Sequence, residues 1–502
     1  MLGSVDSCVL VGLDVRPVHV EAYIGRGEVA FVVVGLATTT VKEARERVRS
    51  AIRNSGLDFP TTRLAVNLAP AELRKDGTGL DLPIAVAIAL ARAERRPPPG
   101  SAFLGELALD GSVRHVDGVI VAARGLRELG YERVFVPAED AAEASLVDGL
   151  EVIPCASLAA VVSHLLGAEP IPVFTPLAPR VVADAVVEHD LREVHGQEEA
   201  KRALEVTAAG GHHLLMSGPP GGGKTMLARC LPGILPPLQL NEALEVAQVR
   251  SLLGDLPPGR PLDWSRPFRA PHHGISTAGL VGGGSGLAHP GEISRATHGV
   301  LFLDELAEFQ APVLQALRQP LETGWVTITR SGGAVRYPAR FTLVAATNPC
   351  PCGWSGDAVR SCRCTPAGVD TYQRRLSGPL LDRIDLQVAV RRVALEQLSS
   401  EPHGEPSAVV RERVIAARAR QLDRQGCLNA QLKPARLRQF ASLAAHSRRT
   451  LERWSAQRGM TARGFHRAWR VARTAADLDG SPEIEEPHVL EALGFRLNDV
   501  AA

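Results

Sequence analysis

The sequence has no hydrophobic run long enough to cross a membrane. Its longest strongly apolar stretch is Leu82–Ala91, whereas a spanning helix needs about 20 apolar residues. The first residues, MLGSVDSCVLVGLDV, also lack the basic start and small-residue cleavage site of a secretory signal. We therefore expect a soluble, cytoplasmic protein with no membrane partner.

A strong charge of either sign is also missing. The 56 basic and 55 acidic residues leave a formal net charge of +1. The whole chain is therefore no polycation, and any contact with nucleic acid must come from local basic patches. Hydrophobic residues make up 45% of the 502 residues. This length predicts roughly two to four domains.

Cysteine is scarce and unevenly distributed. Four cysteines are isolated and are expected to be buried thiols: Cys8, Cys155, Cys230 and Cys427. The others follow the pattern C-x-C-x9-C-x-C: Cys350, Cys352, Cys362 and Cys364. In a cytosolic protein such a cluster indicates a metal more than disulfides, and four thiolates could close a tetrahedral Zn²⁺ site. C-x-C is tighter than the usual C-x2-C, so reduced structural thiols are the alternative.

The chain divides into segments of different pattern. In residues 1–165, strand-like runs alternate with amphipathic helices, which predicts an α/β domain. Residues 166–190 contain a proline-rich linker, and residues 191–393 carry the phosphate-binding motif described next. Residues 394–502 start with a polar linker and are then helical by pattern, with arginines on the polar faces.

One glycine-rich loop predicts ATP binding. GPPGGGKT (Gly218–Thr225) fits G-x-x-x-x-G-K-[ST], follows an apolar strand and precedes a helix. Its amides would cradle phosphates, Lys224 would contact the β- and γ-phosphates, and Thr225 would bind Mg²⁺. The predicted cofactors are ATP and Mg²⁺, and the loop residues expected to bind them are Gly218, Pro219, Pro220, Gly221, Gly222, Gly223, Lys224, Thr225 and Met226.

Two acids follow a second apolar strand. GVLFLDELAEF (Gly299–Phe309) places Asp304 and Glu305 at the end of a buried strand. Asp304 would hold the Mg²⁺ shell, and Glu305 would polarise the attacking water. A third strand ends at Asn348, whose side chain is placed to orient that water.

A late arginine completes the predicted chemistry. Arg383 lies in LLDRIDL (Leu380–Leu386), after a short predicted helix. A guanidinium suits the charge that develops on the γ-phosphate. The alternative is a salt bridge from Arg383 to Asp382 or Asp385.

Two insertions interrupt the ATP-binding segment of residues 191–393. Pro271–Thr297 is rich in glycine and histidine and is expected to be a loop or hairpin with a function. Trp325–Phe341 alternates β-formers around SGG, which predicts a hairpin. Its tip region is expected to carry Arg330 and Arg336, placed for phosphate contacts with DNA. Simple solvation of both arginines is the alternative.

Longer strings resemble a known family. RAPHHGIS (Arg269–Ser276), PGEISRATHGVLFLDEL (Pro290–Leu306), NPCPCG, RLSGPLLDRID and TARGFHRAWRVARTAADL resemble the magnesium-chelatase-like AAA+ ATPases, in particular their YifB/ComM branch. The resemblance implies an AAA+ P-loop α/β core with a C-terminal helical lid and a homo-hexameric ring. It also implies roles for further residues: Asn348 as sensor 1, Arg383 as a finger reaching a neighbour's ATP, Arg463 as sensor 2, and Val194, Gly196 and Gln197 against the adenine.

The N-terminal segment resembles a protease domain that has lost its chemistry. Lys75–Ala89 and Leu104–Arg124 are similar to the Lon proteolytic domain, a ribosomal S5 domain 2-like fold. The Lon serine falls on Gly79 and the Lon lysine near Ile120, and neither residue is a nucleophile or a base. A Lon-like fold without protease activity is therefore expected.

The resemblance implies a DNA motor. The expected function is a hexameric helicase that promotes branch migration during recombination or natural transformation. Its implied partners are single-stranded or branched DNA and recombination proteins. The alternatives are a magnesium-chelatase-type motor subunit that drives metal insertion into porphyrin and, less favoured, an ATP-dependent protease.

Overall fold

The structure is a computed structural model that describes most of the chain. The described residues are 1–35, 38–75, 77–175, 188–257, 261–284, 288–330, 333–357, 359–376, 380–393 and 404–496. Within them, a mixed sheet comes first, a parallel sheet follows, and helices form the C-terminal part. None of the described helices combines the length and apolarity that crossing a bilayer requires.

The N-terminal part is built on a mixed sheet. The strands of this part are β1 (Leu2–Val11), β2 (Asp14–Ile24), β3 (Ala30–Val34), β4 (Arg63–Ala69), β5 (Ser101–Phe103), β6 (Glu106–Leu107), β7 (Val113–Arg114), β8 (Arg133–Pro137) and β9 (Glu151–Cys155). β6 and β7 form a separate two-stranded ribbon, and the other seven strands form the mixed sheet. The sheet order is β3-β4-β2-β1-β5-β8-β9. β1 and β2 are antiparallel, with Val5 opposite Val20, and both of these valines are buried. Val5 and Val20 therefore lie on the face of this hairpin that points to the hydrophobic core.

Helices cover this sheet. They are Thr39–Asn54, Asp81–Ala93, Val119–Glu128, Ala141–Ala144 and Leu158–Leu165. Asp81–Ala93 is buried along almost its whole length, including Leu82, Ile84 and Leu90. A helix that is apolar on all sides belongs in the centre of a domain, which is where this helix lies.

A parallel sheet forms the middle of the chain. The strands of this part are β10 (Leu214–Ser217), β11 (Phe268–Arg269), β12 (Gly282–Gly283), β13 (His289–Pro290), β14 (Val300–Leu303), β15 (Trp325–Arg330), β16 (Gly333–Pro338), β17 (Thr342–Thr347) and β18 (Leu386–Ala389). Five of them form the parallel sheet in the order β11-β14-β17-β10-β18. The carboxyl ends of parallel strands share one edge, so residues that follow β10, β14 and β17 are brought together.

Helices and hairpins surround the parallel sheet. The helices are Glu198–Gly210, Lys224–Ile234, Leu240–Ser251, Thr277–Val281, Glu292–Arg295, Ala311–Ala316, Arg318–Thr323 and Pro366–Leu376. β12 and β13 pair as a short hairpin within the glycine-rich insertion. β15 and β16 pair antiparallel with Arg330 opposite Gly333, which confirms the predicted hairpin.

The C-terminal part is helical, as predicted. Its helices are Ser407–Gln425, Pro434–Phe440, Ala445–Gln457, Ala462–Leu478 and Glu486–Gly494. They share one hydrophobic core with the parallel sheet, to which Trp469 and Leu451 contribute. Buried Asp477 accepts hydrogen bonds from Arg424 at 2.6 and 2.9 Å, which balances its charge.

The N-terminal part packs directly on the parallel-sheet part. The amide of Gly118 donates to the carbonyl of Ser251 at 3.1 Å. Buried Glu143 accepts from the Ser251 hydroxyl at 2.5 Å and from the Ile120 amide at 2.7 Å. Burial raises the pKa of Glu143, and these hydrogen bonds oppose the rise. The chain is thus a multidomain α/β protein whose first two parts are in contact.

Candidate active site

The glycine-rich loop joins β10 to the helix Lys224–Ile234. At Gly218 a Cβ would lie 2.0 Å from the carbonyl oxygen of Val390, so only glycine fits there. Gly223 has φ +90° and directly precedes Lys224, the first residue of the helix. The loop therefore ends at a helix N-terminus, whose free amides attract phosphate.

The Lys224 ammonium lies inside this loop. It donates to the carbonyls of Gly218 at 2.6 Å and Pro219 at 3.0 Å, and to Asn348 Oδ1 at 3.1 Å. Burial lowers the pKa of Lys224, while the charges of Asp304 and Glu305 oppose that shift. The structure thus brings Lys224 and Asn348 together although 124 residues separate them.

Oxygen ligands suited to Mg²⁺ meet beside the loop. Thr225 Oγ1 donates to Asp304 Oδ2 at 2.8 Å. Asp304 directly follows β14, and Thr225 is the second residue of the loop helix. A hydroxyl and a carboxylate at hydrogen-bonding distance are hard oxygen ligands that fit Mg²⁺ together with phosphate oxygens.

Glu305 lies beside a histidine that the sequence did not predict as a site residue. Its backbone is left-handed, with φ +51°, and its Oε2 lies 3.3 Å from Nδ1 of His273. The His273 ring contacts that of His272, with the ring centroids 4.0 Å apart and the ring planes tilted by 35°. The sequence signal was the His-His pair in the glycine-rich insertion, but nothing in the pattern named its partner.

The segment Val194–Gln197, which is expected to contact the adenine, lies against the phosphate-binding loop. Gln197 Nε2 donates to the carbonyl of Gly222 at 3.2 Å and also to that of Arg391. Gly196 and Gln197 are both left-handed, and Val194 is buried in the central core. Met226, within the loop helix, packs against the same core.

Arg383, the expected finger, lies in the short helical turn Leu381–Arg383, and Arg463, the expected sensor 2, lies in the C-terminal helical part. Arg383 forms an ion pair with Glu322, not with either predicted aspartate. Asp385 is instead buried beside His212 and Arg467. Arg463 is exposed in the first turn of the helix Ala462–Leu478.

The expected tip position of Arg336 was wrong. In the hairpin Arg336 pairs with Thr327, whereas Arg330 and Gly333 form the pair nearest the turn. The Arg336 guanidinium lies 4.4 Å from the Trp325 ring centroid, at the base. The cause is the pairing register, which places Arg336 three residue pairs further from the turn than Gly333. The side chain of Arg330 lies outside the described residues.

The four clustered cysteines converge. Their sulfur atoms all lie within 4.8 Å of one another, with pairs at 3.4, 3.6 and 3.6 Å among Cys350, Cys352 and Cys362. All four are free thiols. Backbone amides of Arg363 and Trp354 hydrogen-bond to Cys352 and lower its pKa to about 6. The arrangement fits a soft metal ion.

Three family models match the chain. "Subunit ChlI of Mg-chelatase" covers residues 20–140, "Magnesium chelatase, subunit ChlI" covers 190–398, and "Magnesium chelatase, subunit ChlI C-terminal" covers 404–496. A YifB protein of Salmonella typhimurium is 44% identical over 504 residues, which is 99% of this chain and 97% of the relative. The competence protein ComM of Haemophilus influenzae is 42% identical over 506 residues, with the same coverage.

The chain belongs to the YifB/ComM family of magnesium-chelatase-like AAA+ proteins. Membership of this YifB/ComM family implies ATPase activity with ATP and Mg²⁺. Its magnesium-chelatase relatives match less of the chain. The magnesium-chelatase 38 kDa subunit of Rhodobacter capsulatus is 31% identical over 176 residues, which is 31% of this chain and 48% of that subunit.

Proposed function

We propose that the protein is a homo-hexameric AAA+ motor that hydrolyses ATP to act on DNA. We further propose that it is a helicase that promotes branch migration during recombination or natural transformation. One observation carries the proposal. β16 of the hairpin runs through Ala339–Phe341 into β17, which ends at the residue before Asn348. Asn348 contacts Lys224, so a change at the nucleotide has a short path to the hairpin.

The chemistry proposed for one subunit uses the residues that meet at the sheet edge. Lys224 neutralises charge on the β- and γ-phosphates, and Thr225 and Asp304 hold Mg²⁺. Glu305 accepts a proton from the attacking water, which Asn348 orients. Val194, Gly196 and Gln197 would contact the adenine.

A ring is proposed because the family resemblance implies a finger arginine that acts on the ATP of a neighbouring subunit. Arg383 is ion-paired with Glu322 within the same chain. In a ring it would act as the finger that reaches the ATP of a neighbouring subunit, where its charge stabilises the transition state. Arg463 would act as sensor 2 from the helical lid.

Domain boundaries are part of the proposal. Residues 1–165 would be a Lon-like domain, 166–190 a linker, 191–393 the AAA+ core and 394–502 the lid. The three family matches fall within or close to these boundaries. By the Lon resemblance, the serine would fall on Gly79 and the lysine near Ile120, which is buried, so protease chemistry is not proposed.

DNA is the proposed substrate of the motor. The hairpin would contact the DNA backbone through Arg330 and Arg336, whose charges suit phosphate. The name of the Haemophilus relative, a competence protein, supports a role in DNA uptake or integration. Recombination proteins are the proposed partners.

A structural zinc ion is proposed at the cysteine cluster. Zinc–sulfur bonds of about 2.3 Å in a tetrahedron place sulfur atoms about 3.8 Å apart. The sulfur–sulfur distances of 3.4 to 3.6 Å among Cys350, Cys352 and Cys362 come close to that figure, and all four sulfur atoms lie within 4.8 Å of one another. Four thiolates without nitrogen or oxygen ligands favour Zn²⁺ over Mg²⁺.

A magnesium-chelatase motor subunit is the second candidate. The descriptions of the three family models favour it. The limited coverage of the Rhodobacter subunit favours the DNA motor instead. Both candidates hydrolyse ATP, so the response to DNA distinguishes them.

The test is ATP turnover of the purified full chain with and without single-stranded or forked DNA, at low and moderate salt. The DNA motor predicts faster turnover when DNA is added, and this increase should shrink as salt weakens phosphate contacts. An ATP turnover rate that is the same with and without DNA at both salt concentrations would overturn the DNA proposal and favour the chelatase-type candidate.

A further inference from the structure

The cysteine cluster (Cys350, Cys352, Cys362 and Cys364) lies against the nucleotide site. Cys350 is two residues after Asn348. A Cβ on Gly353 would lie 2.6 Å from Pro220 Cδ and 3.8 Å from Asn348 Cγ. The backbone of the cluster thus touches both the phosphate loop and Asn348, in a gap that holds no side chain.

A stacked tryptophan makes a second link to the same loop. The Trp354 ring centroid lies 4.6 Å from the guanidinium of Arg360 and 5.3 Å from that of Arg392. Arg392 follows Arg391, whose carbonyl accepts from Gln197. Gln197 in turn donates to the carbonyl of Gly222 in the phosphate loop, so an indirect path joins cluster and loop in addition to the direct approach at Gly353.

The far end of the cysteine segment returns to Asn348. Tyr372, on the helix Pro366–Leu376, is buried. Burial raises the pKa of Tyr372, and the neighbouring Thr347 side chain and Asn348 backbone oppose that rise. Gln373 Nε2 donates to the carbonyl of Pro349 at 3.5 Å. The segment from Cys350 to Tyr372 therefore starts and ends beside Asn348, as a loop closed at its base.

This loop has little apolar packing of its own. Of the described residues between 351 and 371, only Gly353 is buried. The thiol of Cys350 accepts from the amide of Ser355 at 3.3 Å, so the sulfur atoms organise the turn around them. A bound metal ion supplies the ordering free energy that such a loop cannot obtain from hydrophobic burial.

We propose that Zn²⁺ bound by the four cysteines holds Asn348 in place against Lys224 and thereby sets the rate of ATP hydrolysis. Binding converts four thiols to thiolates, releases their protons to solvent and leaves a site of net charge −2. The inference rests on the proposed zinc and ATP sites and is independent of DNA.

The test uses the full chain without DNA. Metal content is measured by mass spectrometry, and cobalt substitution reports the site through the absorption of a tetrahedral Co²⁺–thiolate centre. We expect one zinc ion per chain. In Cys362→Ser, zinc should be lost and kcat for ATP should fall about tenfold or more, with nucleotide affinity largely kept. Cys427→Ser, outside the cluster, should keep both zinc and turnover.

Two further measurements guard against simple misfolding. Zinc removed from the natural protein by a chelator and then restored should lower and then recover turnover. Asn348→Ala should lose turnover but keep zinc, and adding Cys362→Ser should cost little more because both act through one residue. A chain that binds no zinc, or turns over ATP equally fast without it, contradicts the proposal. Either result leaves DNA stimulation as a separate question.

Discussion

The contact between His273 and Glu305 is the least expected feature at the scale of single residues. Glu305 follows a buried strand and has the position of a general base. One of its oxygens is nevertheless occupied by His273 Nδ1 at 3.3 Å. A group this close to the carboxylate competes with the attacking water for it. The insertion that carries His273 is therefore placed to restrain hydrolysis.

Replacing His273 should release this restraint. In His273→Ala we expect basal ATP turnover to rise about three- to tenfold, because the Glu305 carboxylate is then free to act on the attacking water. His272→Ala is the matched control, because His272 contacts the neighbouring His273 ring but Glu305 pairs with His273. Steady-state turnover without DNA measures the effect. A fall in turnover in His273→Ala would show instead that the histidine orients the base.

For single residues, the sequence predicted the site residues that a local motif or a strand end defines, and it missed contacts between residues far apart in the chain. Lys224 and Thr225 could be predicted because their motif fixes the backbone around phosphate. Asp304 and Asn348 could be predicted to lie nearby because they end parallel strands. The approach of Gly353 to Pro220 joins residues far apart in sequence, and no periodicity encodes such a contact.

The hairpin of β15 and β16 is the element that best links the nucleotide site to the proposed DNA substrate. Its alternating pattern predicted both strands, since apolar residues on one face must be buried. Val326, Ile328 and Tyr337 are buried as that pattern requires. The place of Arg336 was not predictable, because it depends on pairing register and on stacking with Trp325.

Removing the hairpin arginines should weaken DNA binding without affecting the nucleotide site. In Arg330→Ala combined with Arg336→Ala we expect a lower affinity for DNA, with the salt slope reduced by about 1 for each phosphate that the variant no longer binds. Nucleotide affinity should stay unchanged. Arg336→Lys keeps the charge, and Thr327→Ala changes the opposite residue. If these two controls bind DNA as weakly as the double variant, hairpin shape and not charge is the cause.

At the scale of the whole molecule, the N-terminal part supports the hairpin. Gly12, in the turn between β1 and β2, has φ +66°, and a Cβ there would lie 2.1 Å from Val335 Cγ1. Val11 and Leu13, on either side of it, pack against the same cluster as Val335. The N-terminal part therefore meets the motor at the element proposed to contact DNA.

Gly12→Ala should disturb this packing. The clash and the left-handed backbone together should cost about 1–3 kcal/mol. Gly56→Ala is the matched control, since Gly56 has φ +72° but nothing within 4 Å of the added Cβ. Thermal unfolding measures stability, and strand displacement measures function. Equal losses in the two variants would mean that backbone strain, not domain packing, is responsible.

Displacement of one strand from a three-stranded DNA substrate shows whether ATP hydrolysis at Lys224 and Glu305 moves DNA strands. We expect displacement that requires ATP and Mg²⁺ and is lost in Lys224→Ala and in Glu305→Gln, although Glu305→Gln still binds ATP. Displacement that continues in both variants, or none by the natural protein while it hydrolyses ATP, would show that hydrolysis at this site does not move DNA.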